Sequence, residues 1–275
     1  MSYPHKNLIV IKFGGEIVES VDLLENLIIS VKKLVEDKAK VILVHGGGPL
    51  ASKISQKMGL TPKMVGGRRV TCSETLEVMK MTLPGIINSN VLSILKKHNI
   101  KSASASGITF IQGIKRPPKA VSGSEGKLID WGHVGDVESV DSSLLNTLLD
   151  NDFVPVVSPL TSDKNGNMLN INADTISVEI AKSIKATKYV SITAIGGVFE
   201  DINDPSSKLN TLTVAEAKEK IKAGVIQGGM IPKIEEGLKL LEDQLDSFHI
   251  VATKTANGLQ EEINNPGSHG TAILK

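Results

Sequence analysis

The sequence predicts an α/β protein with a parallel sheet, and three observations carry that prediction. Two short apolar runs, Leu8-Ile9-Val10-Ile11-Lys12-Phe13 and Val41-Ile42-Leu43-Val44, have the length and composition of buried strands. Each stops at glycines, Gly14-Gly15 in the first case and His45-Gly46-Gly47-Gly48-Pro49 in the second. Between them, residues 21–37 set Leu24, Leu27, Ile28, Val31, Leu34 and Val35 at helical spacing, with Glu25, Lys32, Lys33 and Glu36 toward water. Strand, amphipathic helix and strand in that order form a βαβ unit.

The remaining elements follow in order. A short helix is expected over 50–58. Residues 73–98 are helical, with a kink or break at Pro84-Gly85, because a proline inside a helix removes a backbone donor and crowds the preceding turn. The stretch 102–140 is rich in Gly, Ser and Pro and contains Lys115-Arg116-Pro117-Pro118-Lys119; it reads as hairpins and loops beside the substrate rather than core. A helix over 143–150 and a strand over 154–157 close the first half. The second half repeats the alternation: helix 174–184, strand 189–193, helices 214–222 and 234–245, strand 249–252, and an end near Gly270-Thr271-Ala272-Ile273. No repeat of fixed period and no low-complexity linker interrupts it. The expected organisation is two lobes, 1–160 and 161–275, sharing one continuous sheet divided near 158–168.

Composition narrows the function classes. The 275 residues carry 31 Lys and Arg against 30 Asp and Glu, a net charge of +1, so no basic surface for nucleic acid is expected. A small anionic substrate needs only a local patch. The single cysteine, Cys72, has no partner for an internal disulfide or a zinc site, and the six histidines form no HExxH pair. No secretory apolar region opens the chain and no apolar run reaches the length of a membrane span, so a cytoplasmic protein without membrane partners is expected.

Phosphate chemistry is suggested by the two glycine turns. Glycine lets backbone N–H groups approach an anion, and a following helix N-terminus adds a favourable dipole. In α/β sheets ligands bind beyond the carboxyl ends of the strands, where both turns lie. The alternative for either turn alone is a plain strand-to-helix connection. No GxxxxGK[ST] occurs, since Gly123-Ser124-Glu125-Gly126-Lys127-Leu128 has the wrong spacing, and no GxGxxG follows the first strand. The HGGG run would suit an esterase oxyanion hole, but the chain has no GxSxG nucleophile elbow.

Single residues add charge to the picture. Lys12 ends a buried strand, where an ammonium must be paired with an anion; its alternative is an exposed lysine on the last residue of the strand. Lys233 follows Gly228-Gly229-Met230-Ile231-Pro232 as a helix begins, and alone it reads as a surface lysine. Asn170-Ile171-Asn172-Ala173-Asp174 enters a helix, with Asp174 a good N-cap in its structural reading. Arg68-Arg69 follows Gly66-Gly67, and a guanidinium suits bidentate carboxylate recognition, against the reading of a solvated pair.

Taken together these segments resemble the amino-acid kinase family. The matching series runs Lys12-Phe13-Gly14-Gly15, His45-Gly46-Gly47-Gly48-Pro49, Gly67-Arg68-Arg69-Val70-Thr71 and Gly132-His133-Val134-Gly135-Asp136. It continues through Asn170-Ile171-Asn172-Ala173-Asp174 and Gly228-Gly229-Met230-Ile231-Pro232-Lys233 to Gly270-Thr271, in order over nearly the whole chain. The resemblance implies an open, mainly parallel central sheet sandwiched by helices, an N-terminal lobe for an acyl amino acid and for dimerisation, and a C-terminal lobe for ATP. It is nearest to members that move the γ-phosphoryl of ATP onto the γ-carboxylate of N-acetyl-L-glutamate in arginine biosynthesis. It implies catalytic roles for Lys12, Lys233 and Asp174, the lysines neutralising the phosphoryl group and Asp174 holding them. Gly14, Gly15, Gly47 and Gly48 would offer N–H donors, Gly14 and Gly15 toward the nucleotide and Gly47 and Gly48 toward the substrate. Arg69 and Asn170 would hold the substrate's α-carboxylate and nearby polar atoms, and Gly196, Gly197, Gln227, Gly228 and Gly229 would line the nucleotide. ATP with Mg²⁺ held mainly by its phosphates, and a homodimer without arginine feedback, complete the implied picture; the latter rests on only seven residues preceding the first strand.

Three stretches depart from the family pattern. Thr193-Ala194-Ile195-Gly196-Gly197 lacks the usual aspartate after the threonine, Ser106-Gly107-Ile108-Thr109-Phe110 replaces a Gly-Lys-Asp-like run, and Ala252-Thr253-Lys254 replaces an Asp-Gly-Arg-like run. N-succinylglutamate, an aminoadipate derivative (free or carrier-bound, with Lys115, Arg116 and Lys119 as carrier contacts), carbamate, UMP or aspartate stays open as the acceptor. So does a non-catalytic ligand sensor, against which the joint presence of Lys12, Asp174 and Lys233 speaks.

Overall fold

The computed structural model describes residues 7–65, 68–120, 125–253 and 257–275. The Gly66-Gly67 pair, Gly123-Ser124 and Lys254 singled out in the sequence lie outside the described residues.

Leu8–Phe13 is buried at all six positions, which is what a strand covered on both faces requires. It lies near the middle of an eight-stranded sheet. From edge to edge the order is Thr211–Thr213, Gly270–Leu274, Ser247–Val251, Lys188–Ile192, Leu8–Phe13, Lys40–His45, Val154–Ser158 and Ser102–Ser106. All neighbours are parallel except Ser247–Val251 with Gly270–Leu274. Strands from both halves of the chain therefore make one continuous sheet, as expected. Chain order reverses around Leu8–Phe13, flanked by Lys40–His45 and Lys188–Ile192, and such a switch point opens a crevice at the strands' carboxyl ends.

Alternation along the central strand feeds two cores. Leu8 and Val10 join Ile42, Val44, Tyr189, Phe248 and Ile273 on one face. Ile9, Ile11 and Phe13 join Val41, Leu43, Val190 and Val251 on the other. The Val21–Glu36 helix packs its Leu24, Leu27, Ile28, Val31 and Leu34 into the second core, and Ser20 caps it by accepting from the Leu23 N–H. A smaller sheet, ordered Met168–Asn170, Leu160–Ser162, Ile111–Lys115 and Gly135–Val140, stands beside the main one.

Four expectations are corrected. The stretch 102–140 does pair antiparallel within itself, Ile111–Lys115 with Gly135–Val140, but it is not all outside the core: Ser102–Ser106 is an edge strand of the main sheet, and Phe110, Ile111, Trp131 and Val134 are buried. Its Ser-Ala alternation carries none of the β-branched residues that signal a strand. Pro84 does not break its helix. Ser73–Lys80, Met81–Ile87 and Asn88–Lys97 run on without interruption, and the middle segment is a π-helix whose wider turn accommodates the proline ring. Among the described residues, this 25-residue Ser73–Lys97 run is also long and apolar enough to cross a membrane, with 44% of its apolar window buried, contrary to the expectation that no segment qualifies. Within the fold its Met79, Leu83, Ile87, Val91 and Leu95 belong to the second core. Finally, the helix expected from residue 234 starts earlier, as Met230–Asp243, and so carries Lys233 in its first turn.

Candidate active site

Lys12 is the penultimate residue of the central strand and only 3% exposed. Its ammonium reaches across to the Ala173–Ser183 helix, where Asp174 sits in the first turn, 5% exposed. Asn172, not Asp174, is the N-cap: its side-chain oxygen accepts from the Asp174 N–H at 3.0 Å. That corrects the capping role and leaves the Asp174 carboxylate free. Its Oδ1 lies 2.6 Å from Lys12 Nζ and its Oδ2 accepts from Lys233 Nζ at 3.3 Å. Two lysines 221 positions apart in sequence thus share one buried carboxylate.

The charge state follows from this geometry. Burial alone would raise the Asp174 carboxyl, but the adjacent lysines outweigh it and hold the group below the ordinary carboxylate range. Burial lowers Lys12 to about 8, with Lys233 adding repulsion and Asp174 only partly offsetting the loss. Lys233 is also penalised by burial, yet Asp174 carries it above the usual lysine value. Two cations around one anion leave a net positive charge at the end of the central strand.

The glycine turns flank that charge. Gly46 N–H donates to Phe13 O at 2.8 Å, which ties the two turns together. A Cβ on Gly15 would lie 2.5 Å from Pro49 Cδ, so glycine is required for the turns to approach this closely. A cavity of about 610 Å³ opens above them. Lys12, Gly14, Gly15, Gly47 and Gly48 line one side of it, and Lys233, Asn170 and Arg69 also line it. Arg69 donates through Nη2 to Gly48 O at 2.9 Å and to Ser52 Oγ at 2.6 Å, while its Nη1 is buried without a protein partner. Asn170 donates through Nδ2 to Thr71 Oγ1 at 3.2 Å.

Not all sequence-predicted positions converge. Gly196, Gly197, Gln227, Gly228 and Gly229 do not line this cavity. Gly196 and Gly197 turn after the Lys188–Ile192 strand, where Gly196 N–H donates to Thr193 Oγ1 and Val198 N–H to Thr271 Oγ1. Gln227, Gly228 and Gly229 form the exposed approach to the Met230–Asp243 helix.

Other cavity residues went unassigned in the sequence. Glu16 lines the cavity directly after Gly15, and adjacency to a glycine turn was the available signal. Trp131, fully buried, and Asp136 line it too; both lie in the 102–140 stretch expected beside the substrate, and Asp136 ends the Gly132-His133-Val134-Gly135-Asp136 run of the resemblance, though the sequence assigns neither a role. Arg116 and Lys119, in the stretch expected beside the substrate and weighed as carrier contacts, also line it, and Arg116 Nε donates to both Asp136 oxygens at 3.1 and 3.2 Å. Among the described residues, no three His, Cys, Asp or Glu side chains group as metal ligands. A cavity with paired ammoniums, a free guanidinium nitrogen and a glycine-lined wall is suited to bringing anionic groups together.

The amino acid kinase family profile matches residues 7–251. An acetylglutamate kinase from Anaeromyxobacter sp. (strain Fw109-5) is 37% identical over 268 residues, covering 97% of this chain and 98% of that protein. An acetylglutamate kinase from Methanobrevibacter smithii is 37% identical over 275 residues, covering 98% and 94%. The crystal structure of smu.665 from Streptococcus mutans UA159 superposes with a TM-score of 0.79 at 25% identity, covering 98% of this chain and 99% of that one.

Proposed function

Because the chain belongs to the amino acid kinase family, we propose that it transfers the γ-phosphoryl group of ATP to the γ-carboxylate of N-acetyl-L-glutamate, giving N-acetyl-L-glutamyl 5-phosphate and ADP. The observation that carries this reading is the pair Lys12 and Lys233, both lining a glycine-walled cavity and both held by the buried Asp174, in a chain matched over 97–98% of its length by acetylglutamate kinases.

The chemistry asks little of general bases. An unperturbed γ-carboxyl has a pKa of about 4.3 and is already ionised at neutral pH. One carboxylate oxygen forms a bond to the γ-phosphorus, the bond from that phosphorus to the β,γ-bridging oxygen breaks, and ADP leaves with the electron pair. The barrier lies in bringing two anions together, so positioning and positive charge dominate. Lys12 and Lys233 offset the charge of the phosphoryl group in flight, and Asp174 keeps both ammoniums on station. The backbone N–H groups of Gly14, Gly15, Gly47 and Gly48 serve as further donors. Arg69 and Asn170 hold the α-carboxylate side of the acyl amino acid, and the unpartnered Arg69 Nη1 supports that role.

The nucleotide's remote end belongs with Gly196, Gly197, Gln227, Gly228 and Gly229, so that 1–160 serves the acid and 161–275 serves ATP. Among the described residues no carboxylate cluster would ligate Mg²⁺, so the ion would be held by the nucleotide phosphates, whose charge it would offset. A cytoplasmic homodimer belongs to the same proposal, and Met81 and Ile86, exposed on the Ser73–Lys97 run, offer apolar surface for a second copy. Light scattering of the purified chain reads the assembly.

The test is ATP consumption with hydroxylamine present to trap acyl phosphate, against N-acetylglutamate, N-succinylglutamate, N-acetylaminoadipate, carbamate and UMP. A hydroxamate formed fastest with N-acetylglutamate is expected. Faster turnover of another acid would reassign the substrate, and none with any acid would leave a ligand sensor.

A further inference from the structure

We propose that His45 and Asn88 are positioning residues that aim the backbone N–H of Gly47 into the active-site cavity. This deepens the phosphoryl-transfer reading given above and rests on it.

His45 ends the Lys40–His45 strand and is fully buried. Its Nε2 lies 3.2 Å from Asn88 Nδ2, and the same amide nitrogen lies 3.1 Å from Val156 O. A carbonyl can only accept, so the Asn88 atom facing Val156 is the NH₂ group. Its second hydrogen points at His45 Nε2, which must therefore present a lone pair. The imidazole proton is left on Nδ1, 3.0 Å from Gly46 O, where it donates. Burial takes the ring down to about 4, against a smaller lift from that carbonyl, so it is neutral throughout the physiological range.

The consequence lies one atom further on. Gly46 O belongs to the same planar, trans peptide unit as the Gly47 N–H, and the two point in opposite directions. Pinning the carbonyl to His45 in the core turns the Gly47 N–H away from the core. Between two glycines this peptide would otherwise rotate with little steric resistance.

The π-helical segment Met81–Ile87 serves the same turn. Ile87 Cδ1 and Leu83 Cδ2 lie 2.3 and 2.6 Å from where a Gly47 Cβ would stand, and Asn88 follows directly. The widened turn thus supplies the apolar seat under Gly47, and the α-helix it leads into opens with the amide that selects the His45 tautomer. π-Bulges recur at functional sites, and here the wider turn has a defined task.

Two measurements on the full chain test this. Long-range ¹H–¹⁵N correlation between pH 6 and 8, with His45 assigned by its absence in His45→Asn, should show a neutral Nδ1–H ring that does not titrate. Steady-state kinetics should then split the variants. His45→Leu removes the donor and is expected to lower kcat about 100-fold, the scale of a misplaced oxyanion donor, with both KM values within about threefold. His45→Asn places an amide N–H where Nδ1 stood and should recover kcat to within about fivefold of wild type. Should His45→Leu fail to fold, Asn88→Leu keeps the imidazole and should lower kcat about tenfold while admitting the Nε2–H tautomer. An Nε2–H ring in the wild type, a His45 titration between pH 6 and 8, or unchanged kcat in both leucine variants would overturn the proposal. The tautomer is read without substrate. A wild-type chain that turns over no acid would therefore sink the assigned reaction, whereas a wrong tautomer sinks the His45 role alone.

Discussion

An ammonium held at 3% exposure is tolerable only beside an anion, and Lys12 depends on Asp174 for that partner. Burial has lowered it to about 8, so the proton it needs for phosphoryl transfer begins to leave the free enzyme within reach of assay. We expect kcat/KM, which reports the free enzyme, to fall on the alkaline side with an apparent pKa near 8. Bound ATP favours the ammonium form, so the corresponding limb in kcat should lie at higher pH. A kcat/KM profile flat to pH 9.5 would remove Lys12 from the charged clamp. Lys233→Ala should lower kcat by roughly 100- to 1,000-fold with the KM for the acid little changed, the scale seen when one transition-state donor is deleted; a surviving rate would end its assigned role. Asp174 gives a stability test with a defined sign. Its folded carboxyl is held below the ordinary value of 3.8, so its contribution is present above that pH and is lost as pH falls through the folded value. Asp174→Asn should therefore cost about 3–5 kcal/mol at pH 7, where it leaves two buried ammoniums without their counter-charge. The gap from wild type should narrow below pH 4 in chemical denaturation. A gap independent of pH would mean that the carboxylate is not the stabilising partner.

At the scale of elements, the site is a meeting of two strand-to-helix turns, and the glycines in them are not equivalent. A Gly15 side chain would meet the Pro49 ring, fixed in the first turn of the Gly48–Lys57 helix, whereas a Cβ on Gly48 has nothing within 4 Å. Gly15→Ala should push the turns apart, costing about 1–3 kcal/mol in thermal or urea unfolding and lowering kcat/KM. Gly48→Ala should leave stability within about 0.5 kcal/mol and act only through the ligands it faces. Equal stability losses would show that turn contact is not what glycine protects. Both turns were legible because Leu8–Phe13 and Lys40–His45 are dense in β-branched residues and stop abruptly at glycine. Ser102–Ser106 was not, because serine and alanine signal no strand; it is held by pairing with Val154–Ser158, 52 residues downstream. At Pro84 the sequence marked the site of an irregularity, but the helix runs on through a π-turn where a kink or break is expected, and nothing local announces a turn that accepts the ring. The charged clamp could be assembled from sequence only through resemblance, since no spacing rule links residue 12 to residue 233. Asn88 reaches its place through tertiary contacts alone, whereas Trp131 and Asp136 fall in the 102–140 stretch expected beside the substrate, Asp136 within the Gly132-His133-Val134-Gly135-Asp136 run of the resemblance, and only their individual roles were not legible.

Across the whole molecule, the two halves of the chain share one continuous sheet, as the sequence predicts. Leu8–Phe13 hydrogen-bonds to Lys40–His45 on one side and to Lys188–Ile192 on the other, so the boundary between the halves is a fully paired, fully buried seam. Both cores cross it. One joins Val10 and Ile42 to Tyr189, Phe248 and Ile273; the other joins Phe13 and Leu43 to Val190, Val251 and Leu259. Unfolding the second half alone would strip Val10 and Phe13 of cover and break the parallel ladder at Lys12, costs that independent domains do not impose. We therefore expect scanning calorimetry to give one transition, with calorimetric and van't Hoff enthalpies in agreement per cooperative unit. The clamp adds a sharper requirement, since Lys12 comes from the first half while Asp174 and Lys233 come from the second. A non-hydrolysable ATP analogue that engages this cluster must stabilise the whole transition, by about 2.7 kcal/mol at a hundredfold excess over its Kd. Two separated transitions, or a ligand shift confined to one of them, would show that the halves fold as independent units and that the shared sheet is a hinge rather than a core.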